Sequence, residues 1–134
     1  VVVHASEPVG HSYPGKGVTT PNRLLNLAAA FPDVVFIFAH FGGGLPFYTL
    51  MPEVAETLSN VYFDSAATPF LYRPDVYAIS AAAAGRDRIL FGSDFPVIRQ
   101  GRAIRGVRGS GLNDIDIDLA LGGNVMDLLG LKSD

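Results

Sequence analysis

Two histidines and two aspartates each close a short apolar run. Val1-Val2-Val3 ends on His4, Val34-Val35-Phe36-Ile37-Phe38-Ala39 on His40, Val61-Tyr62-Phe63 on Asp64, and Ile89-Leu90-Phe91-Gly92-Ser93 on Asp94. Neutral imidazole and carboxylate are the donors that hold Zn²⁺ and related divalent ions at hydrolytic centres, where an open position keeps a water whose pKa falls to about 7. A carboxylate beside such a water takes up its proton, and a second imidazole steers the water or stabilises charge developing on the substrate. A single His or Asp at a strand end is most often a cap or turn former. Four in succession point to chemistry gathered in one place.

The four residues are spaced by 36, 24 and 30 positions, each interval about the length of one strand, one helix and two loops. The spacing predicts an α/β chain of four consecutive β-α units, half of a (β/α)8 TIM-type barrel, with parallel strands and outer helices. In such a barrel the C-terminal ends of the strands meet at one rim, so residues far apart in sequence converge there. Val34 to Ala39 contains no polar residue, which predicts a strand covered on both faces.

Between the strands, residues 5–18 are rich in Gly and Pro and form a long loop, a length that usually serves function. Thr20 is an N-cap candidate and Pro21 a first-turn proline for a helix whose apolar face is Leu24, Leu25, Leu27, Ala28 and Phe31. Gly42-Gly43-Gly44 turns the chain, and a second helix is expected from about Leu45 to Leu58. Asn60 to Asp64 reads as a strand, 65–73 as a loop, Pro74 to Gly85 as a helix, and Arg88 to Gly92 as the last strand. Residues 97–111 are Gly- and Arg-rich and read as irregular. Helices over roughly 113–121 and 124–130 close the chain, with Asn124 as the second one's N-cap and Gly130 as its stop.

The 134 residues are 49% hydrophobic and 17% charged, the composition of one domain, 1–134, that buries a core. No apolar run approaches the roughly 20 residues of a membrane helix, so no membrane partner is expected. A net charge of −3 argues against general nucleic-acid binding. Without cysteine there is neither a disulfide framework nor a thiolate metal site, in keeping with a cytoplasmic location. The chain opens without Met, already inside a strand-like run, and is read as a fragment.

Longer words in the sequence resemble a known family. His4-Ala5-Ser6-Glu7-Pro8-Val9-Gly10-His11 with Tyr13-Pro14-Gly15-Lys16-Gly17, Ala39-His40-Phe41-Gly42-Gly43-Gly44-Leu45-Pro46, Phe91-Gly92-Ser93-Asp94-Phe95-Pro96, and Gly123-Asn124 with Leu128-Leu129-Gly130-Leu131 look like the C-terminal half of an amidohydrolase-superfamily protein. The amidohydrolase-2 group, which also contains metal-dependent decarboxylases, is the branch they resemble.

The resemblance implies that His4, ending the family's fifth strand, is a metal ligand and that His40, on the sixth, positions or activates the attacking water. Asp94, on the eighth, would bind the metal and shuttle the proton. Asp64 carries no family role and reads as a carboxylate that orders the rim.

The function so implied is a metal-dependent hydrolase that turns a metal-bound water on a small carboxylate, lactone or amide substrate. A non-oxidative decarboxylase of the same superfamily is the alternative, and a catalytically incompetent half-barrel or interaction module a third reading. Zinc is the first expectation for the divalent ion, with manganese or iron accepted by the same donors. The family's first-strand ligands have no counterpart here, so the chain alone is expected to bind metal weakly or not at all. A two-His, one-carboxylate site from His4, His40 and Asp94 would need His40 to coordinate directly.

On the first loop, His11 is a candidate substrate-binding residue with a solvated position as its equal alternative, while Glu7 and Lys16 read as solvated. Arg99, Arg102, Arg105 and Arg108 could grip a carboxylate or phosphate, but the glycines among them favour a solvated loop. The three glycines after His40 lack the spacing of a phosphate-binding loop and are explained by a tight exit from a buried strand. Half a barrel leaves two open strand edges and an apolar inner face. Besides a small-molecule substrate, a second copy or the missing N-terminal half is therefore the expected partner.

Overall fold

Four parallel strands form one sheet in chain order: β1 (Val2–Val3), β2 (Phe36–Phe38), β3 (Val61–Asp64) and β4 (Ile89–Leu90). The computed structural model describes residues 1–131. Register places Val3 beside Phe38, Phe38 beside Phe63 and Phe63 beside Ile89. Neighbouring strands in register point the same way, so these side chains form one row, and Phe38, Phe63 and Ile89 are fully buried beneath the helices. Each contributes roughly 1.5–3 kcal/mol by leaving water.

The next row, Val2, Ile37 and Tyr62, faces the other side, where Val2 is 66% exposed and Ile37 and Tyr62 are half-buried. The predicted cover on both faces of the second strand is thus present on one face. Toward β4 the same side closes: Leu90, paired with Asp64, is only 4% exposed.

Helix α1 (Pro21–Ala30) buries Leu24 and Ala28. Thr20 holds the N-cap position, but its hydroxyl donates to Asn22 Oδ1 instead of capping the backbone. The helix expected from Leu45 starts only at Pro52. Residues His40–Leu50 form 3₁₀ turns interrupted by left-handed backbone at Phe41 to Gly44, and α2 spans Pro52–Thr57. Met51 is extended (φ −90°, ψ 118°), as a residue before proline must be.

The loop at 65–73 contains the short helix α3 (Thr68–Leu71), and α4 (Val76–Ala84) stops at Gly85 with φ 106°.

Residues predicted to be irregular instead contain α5 (Gln100–Arg108). Ala103 and Val107, four residues apart, are both buried, Ala103 in a cluster with Ile98 and Ala67 and Val107 in the main core. Packing of that stripe outweighs the helix penalty of about 1 kcal/mol for each of Gly101 and Gly106.

The expected break before Asn124 is also absent. Helix α6 (Asp114–Asp118) passes through a π turn at Leu119–Gly123 into α7 (Asn124–Leu128). Asn113 is the working cap, accepting from the Asp116 N–H at 2.9 Å. Asn124 is helical and buried, and its amide donates to the carbonyls of Arg86 (2.7 Å) and Ile89 (2.8 Å), which ties α7 to the start of β4. No described helix is long and apolar enough to cross a membrane.

Candidate active site

Because the strands are parallel and ordered, the residues that follow them emerge at one rim. His4 leaves β1 and His40 leaves β2, and His4 Nδ1 stands 3.2 Å from His40 Nε2. The rings meet edge to face with centroids 4.9 Å apart. His40 is buried and His4 is open to solvent.

The neighbours fix the protons. The Ala66 carbonyl can only accept, so His40 Nδ1–H donates to it at 2.9 Å. With both rings neutral, His40 Nε2 is then bare and receives His4 Nδ1–H. That leaves His4 Nε2 to accept from the Ser6 hydroxyl at 3.1 Å, while Ser6 Oγ itself accepts the Gly17 N–H at 2.9 Å. Ser6, fully buried, thus begins a continuous chain from the loop through both imidazoles to Ala66.

Gly43 makes room for this arrangement. Its φ is +65°, and a Cβ there would lie 2.6 Å from the Ser6 carbonyl oxygen, so the turn that presents His40 rests directly on the backbone after His4.

Asp64 lies behind the imidazoles. One oxygen, Oδ1, accepts backbone N–H groups from Ala66 (2.8 Å) and His40 (3.3 Å). Burial raises its pKa above the ordinary value, against the lowering effect of those two hydrogen bonds. The carboxylate therefore orders the turns on either side of it.

Besides Phe41 in the turn after His40, three of the described non-glycine residues have left-handed backbone: Asp94 (φ 62°), His40 (56°) and Ala67 (56°). All three line one cavity. Left-handed non-glycine residues cost of order 1–3 kcal/mol each and collect at functional sites.

That cavity, of about 500 Å³, receives His4, His11, His40 and Asp94, with Phe70 and Leu71 among its apolar walls. All four sequence-predicted site residues therefore share one space, while Asp64 lies outside its lining.

Glu7 is not simply solvated. Its carboxylate accepts the hydroxyls of Tyr13 (2.9 Å) and Tyr72 (3.1 Å), pinning the loop that carries His11 against the chain after α3. Burial, then Glu7, pushes the Tyr13 phenol up to about 12; burial, then the Glu7 charge, raises that of Tyr72 as well. Lys16 is spent on the loop's own carbonyls, donating to Val9 (2.7 Å) and His11 (3.1 Å).

Ser6 and Ala67 were not singled out by sequence. Ser6 has a readable signal, a hydroxyl two residues beyond a strand-end histidine; Ala67 has none.

The donor set suits part of a metal centre. With His4 Nδ1–H donated to His40 Nε2, the nitrogen that His4 can offer an ion is Nε2, which carries no proton and accepts from Ser6. The donation of His40 Nδ1–H to the Ala66 carbonyl fixes that ring's tautomer and leaves Nε2 unprotonated for proton transfer. Among the described residues, however, no group of three His, Cys, Asp or Glu side chains lies close enough together to hold an ion.

The family profile Amidohydrolase matches residues 1–131. Among solved structures, a 2,6-dihydroxybenzoate decarboxylase from Rhizobium superposes with TM-score 0.73 at 17% identity, over 98% of this chain and 51% of that one. A dihydroxybenzoic acid decarboxylase from Polaromonas sp. JS666, with bound manganese and the inhibitor 2-nitroresorcinol, gives TM-score 0.71 at 19% identity, over 85% and 40%. A proposed 2-pyrone-4,6-dicarboxylic acid hydrolase from Pseudomonas putida gives 0.65 at 14%, over 100% and 64%. The chain thus spans between 40% and 64% of the length of these structures, and its fold is part of their barrel. No curated protein sequence matches significantly.

Proposed function

The chain belongs to the amidohydrolase family, and on that footing we propose that its parent protein is a metal-dependent hydrolase of a small carboxylate, lactone or amide. The observation that carries the reading is the His4–His40 pair, 3.2 Å apart, facing the cavity that also contains Asp94. A divalent ion, when bound, would supply Lewis-acid polarisation and acidify water.

His4 and Asp94 would hold that ion, with zinc preferred and manganese or iron compatible with the same donors. His40, its Nδ1–H committed to Ala66, keeps Nε2 as the base that orients water and takes its proton. Asp94 would then carry that same proton on to the leaving group, which departs protonated. His11, on the loop wall of the cavity, contacts the substrate. The chain acts as a single domain whose concave face is covered by the remaining strands of the barrel or by a second copy.

A second reading is non-oxidative decarboxylation of an aromatic or unsaturated acid. The apolar cavity walls, Phe70, Leu71 and Val97, favour a flat ring, and two of the solved structures described above are decarboxylases. Here His40 would deliver a proton to carbon instead of withdrawing one from water. Full-length protein supplied with Zn²⁺ or Mn²⁺ should hydrolyse aryl lactones or amides without gas evolution. Stoichiometric CO₂ release from an aromatic acid would sink the hydrolase reading in favour of the second.

A further inference from the structure

Beside the catalytic cavity lies a second hollow, about 560 Å³, lined by Val97, Ile98, Arg99, Gly101, Arg102 and Arg105. Val97 lines both spaces. Phe70, a wall of the catalytic cavity, carries the Arg102 guanidinium 5.1 Å above its ring. The two hollows are therefore adjacent, with Val97 and Phe70 standing at their boundary.

Among the described residues, none of these three arginines forms an ion pair; the pairs present are Arg73–Asp75 and Arg86–Asp116. Helix α5 also contains no acidic residue, although the chain as a whole is net negative.

Support of the helix does not explain the pattern. Arg105 in the last turn suits the negative end of the helix dipole, but Arg99 at the N-cap and Arg102 in the first turn sit at its positive end, where cations are disfavoured. Three unneutralised guanidiniums around one concavity concentrate a positive field there. The contact with the Phe70 ring favours the orientation of Arg102 seen here.

We propose that Arg99, Arg102 and Arg105 form an oxyanion cleft that receives a second carboxylate or phosphate group of a substrate whose reacting end occupies the His4–His40–Asp94 cavity. This rests on the functional reading above and narrows its substrate class to dianionic acids. Guanidinium forks match the planar faces of either oxyanion.

The test is a titration of the isotopically labelled protein, followed by NMR, with inorganic phosphate, benzoate, benzene-1,3-dicarboxylate and 4-carboxyphenyl phosphate. Inorganic phosphate should shift the arginine side-chain signals, and benzoate the signals of His4 and His40. Either dianion should shift both sets and bind about tenfold more tightly than benzoate. In the double variant R99Q/R105Q, which leaves the Arg102–Phe70 contact in place, that advantage should vanish while benzoate affinity is unchanged. Whichever dianion gains more identifies the second group as carboxylate or phosphate.

Equal affinity for mono- and dianions, or arginine signals unmoved by phosphate, overturns the cleft. A parallel loss of benzoate binding in the variant overturns it too. Benzoate that fails to move His4 and His40 instead counts against the cavity as the substrate site, with the arginine response still read separately through phosphate.

Discussion

His4 Nδ1 and His40 Nε2 stand 3.2 Å apart although 36 residues separate them in the chain. Two backbone groups set that distance: the Gly17 N–H, acting through Ser6, and the Ala66 carbonyl, acting on His40. The histidine pair is thus held from both sides by neutral groups that add no charge to the site.

Ser6→Ala removes the donor to His4 Nε2 and leaves the Gly17 N–H without its acceptor. A lost hydrogen bond with a stranded backbone donor should cost about 1–3 kcal/mol, read as a lower urea midpoint. The His4 ring should also lose its single tautomer, seen as averaging of its two ring ¹⁵N shifts. An unchanged ¹⁵N pattern in a folded S6A protein would mean that Ser6 does not orient the ring.

Gly43→Ala and Gly44→Ala separate crowding from backbone strain. Both residues have positive φ, but a Cβ at Gly43 would strike the Ser6 carbonyl oxygen at 2.6 Å, whereas one at Gly44 meets only the Phe47 ring at 3.8 Å. Gly44→Ala should cost about 1 kcal/mol from φ alone. Gly43→Ala should cost at least about twice that, because backbone must move, and should displace His40 from His4. Equal denaturation midpoints for the two variants would contradict the contact.

The strands and the convergence of their end residues were legible because a β-α spacing and apolar runs are local properties that topology converts into a common rim. Where the reading failed, a distant contact decided. Residues 97–111 look irregular by their glycines, yet α5 forms because Ala103 and Val107 are buried. Asn124 looks like a cap, yet it is a helical residue bonded to the carbonyls of Arg86 and Ile89. The role of Glu7 was hidden because its partner Tyr72 lies 65 residues away. The Ala66 carbonyl, which sets the His40 proton, carries no side-chain signature at all.

Asp64 offers a charge test. Asp64→Ala should destabilise by about 2 kcal/mol, since it strands the N–H groups of His40 and Ala66. Asp64→Asn keeps an acceptor and removes a buried charge, and should be near neutral at pH 7. The folded pKa of Asp64 lies above its unfolded value of 3.8, so the native state holds the proton more firmly. Stability should therefore fall as pH rises from about that value through the raised one, and Asp64→Asn should flatten this slope. A wild-type profile that rises with pH over that window, with no difference from Asp64→Asn, would contradict burial as the dominant influence.

The Glu7 clamp makes a prediction at the alkaline end. Tyr13 ionises at about 10 when unfolded and about 12 when folded, and Tyr72 is raised in the same direction. Between those limits the folded protein binds more protons than the unfolded chain, so stability is intact below pH 10 and declines as pH climbs through the folded value. A phenolate forming beside the Glu7 carboxylate also turns a hydrogen bond into repulsion, releasing the loop that carries His11. Tyr72→Phe and Tyr13→Phe should each shift the alkaline loss of stability upward in pH or shrink it, while Glu7→Gln should lower the Tyr13 pKa by removing the adjacent charge. Ultraviolet titration of the phenols beside urea midpoints at each pH measures both effects. If the Tyr13 pKa is the same in Glu7→Gln as in wild type, the carboxylate does not hold the loop through these hydroxyls.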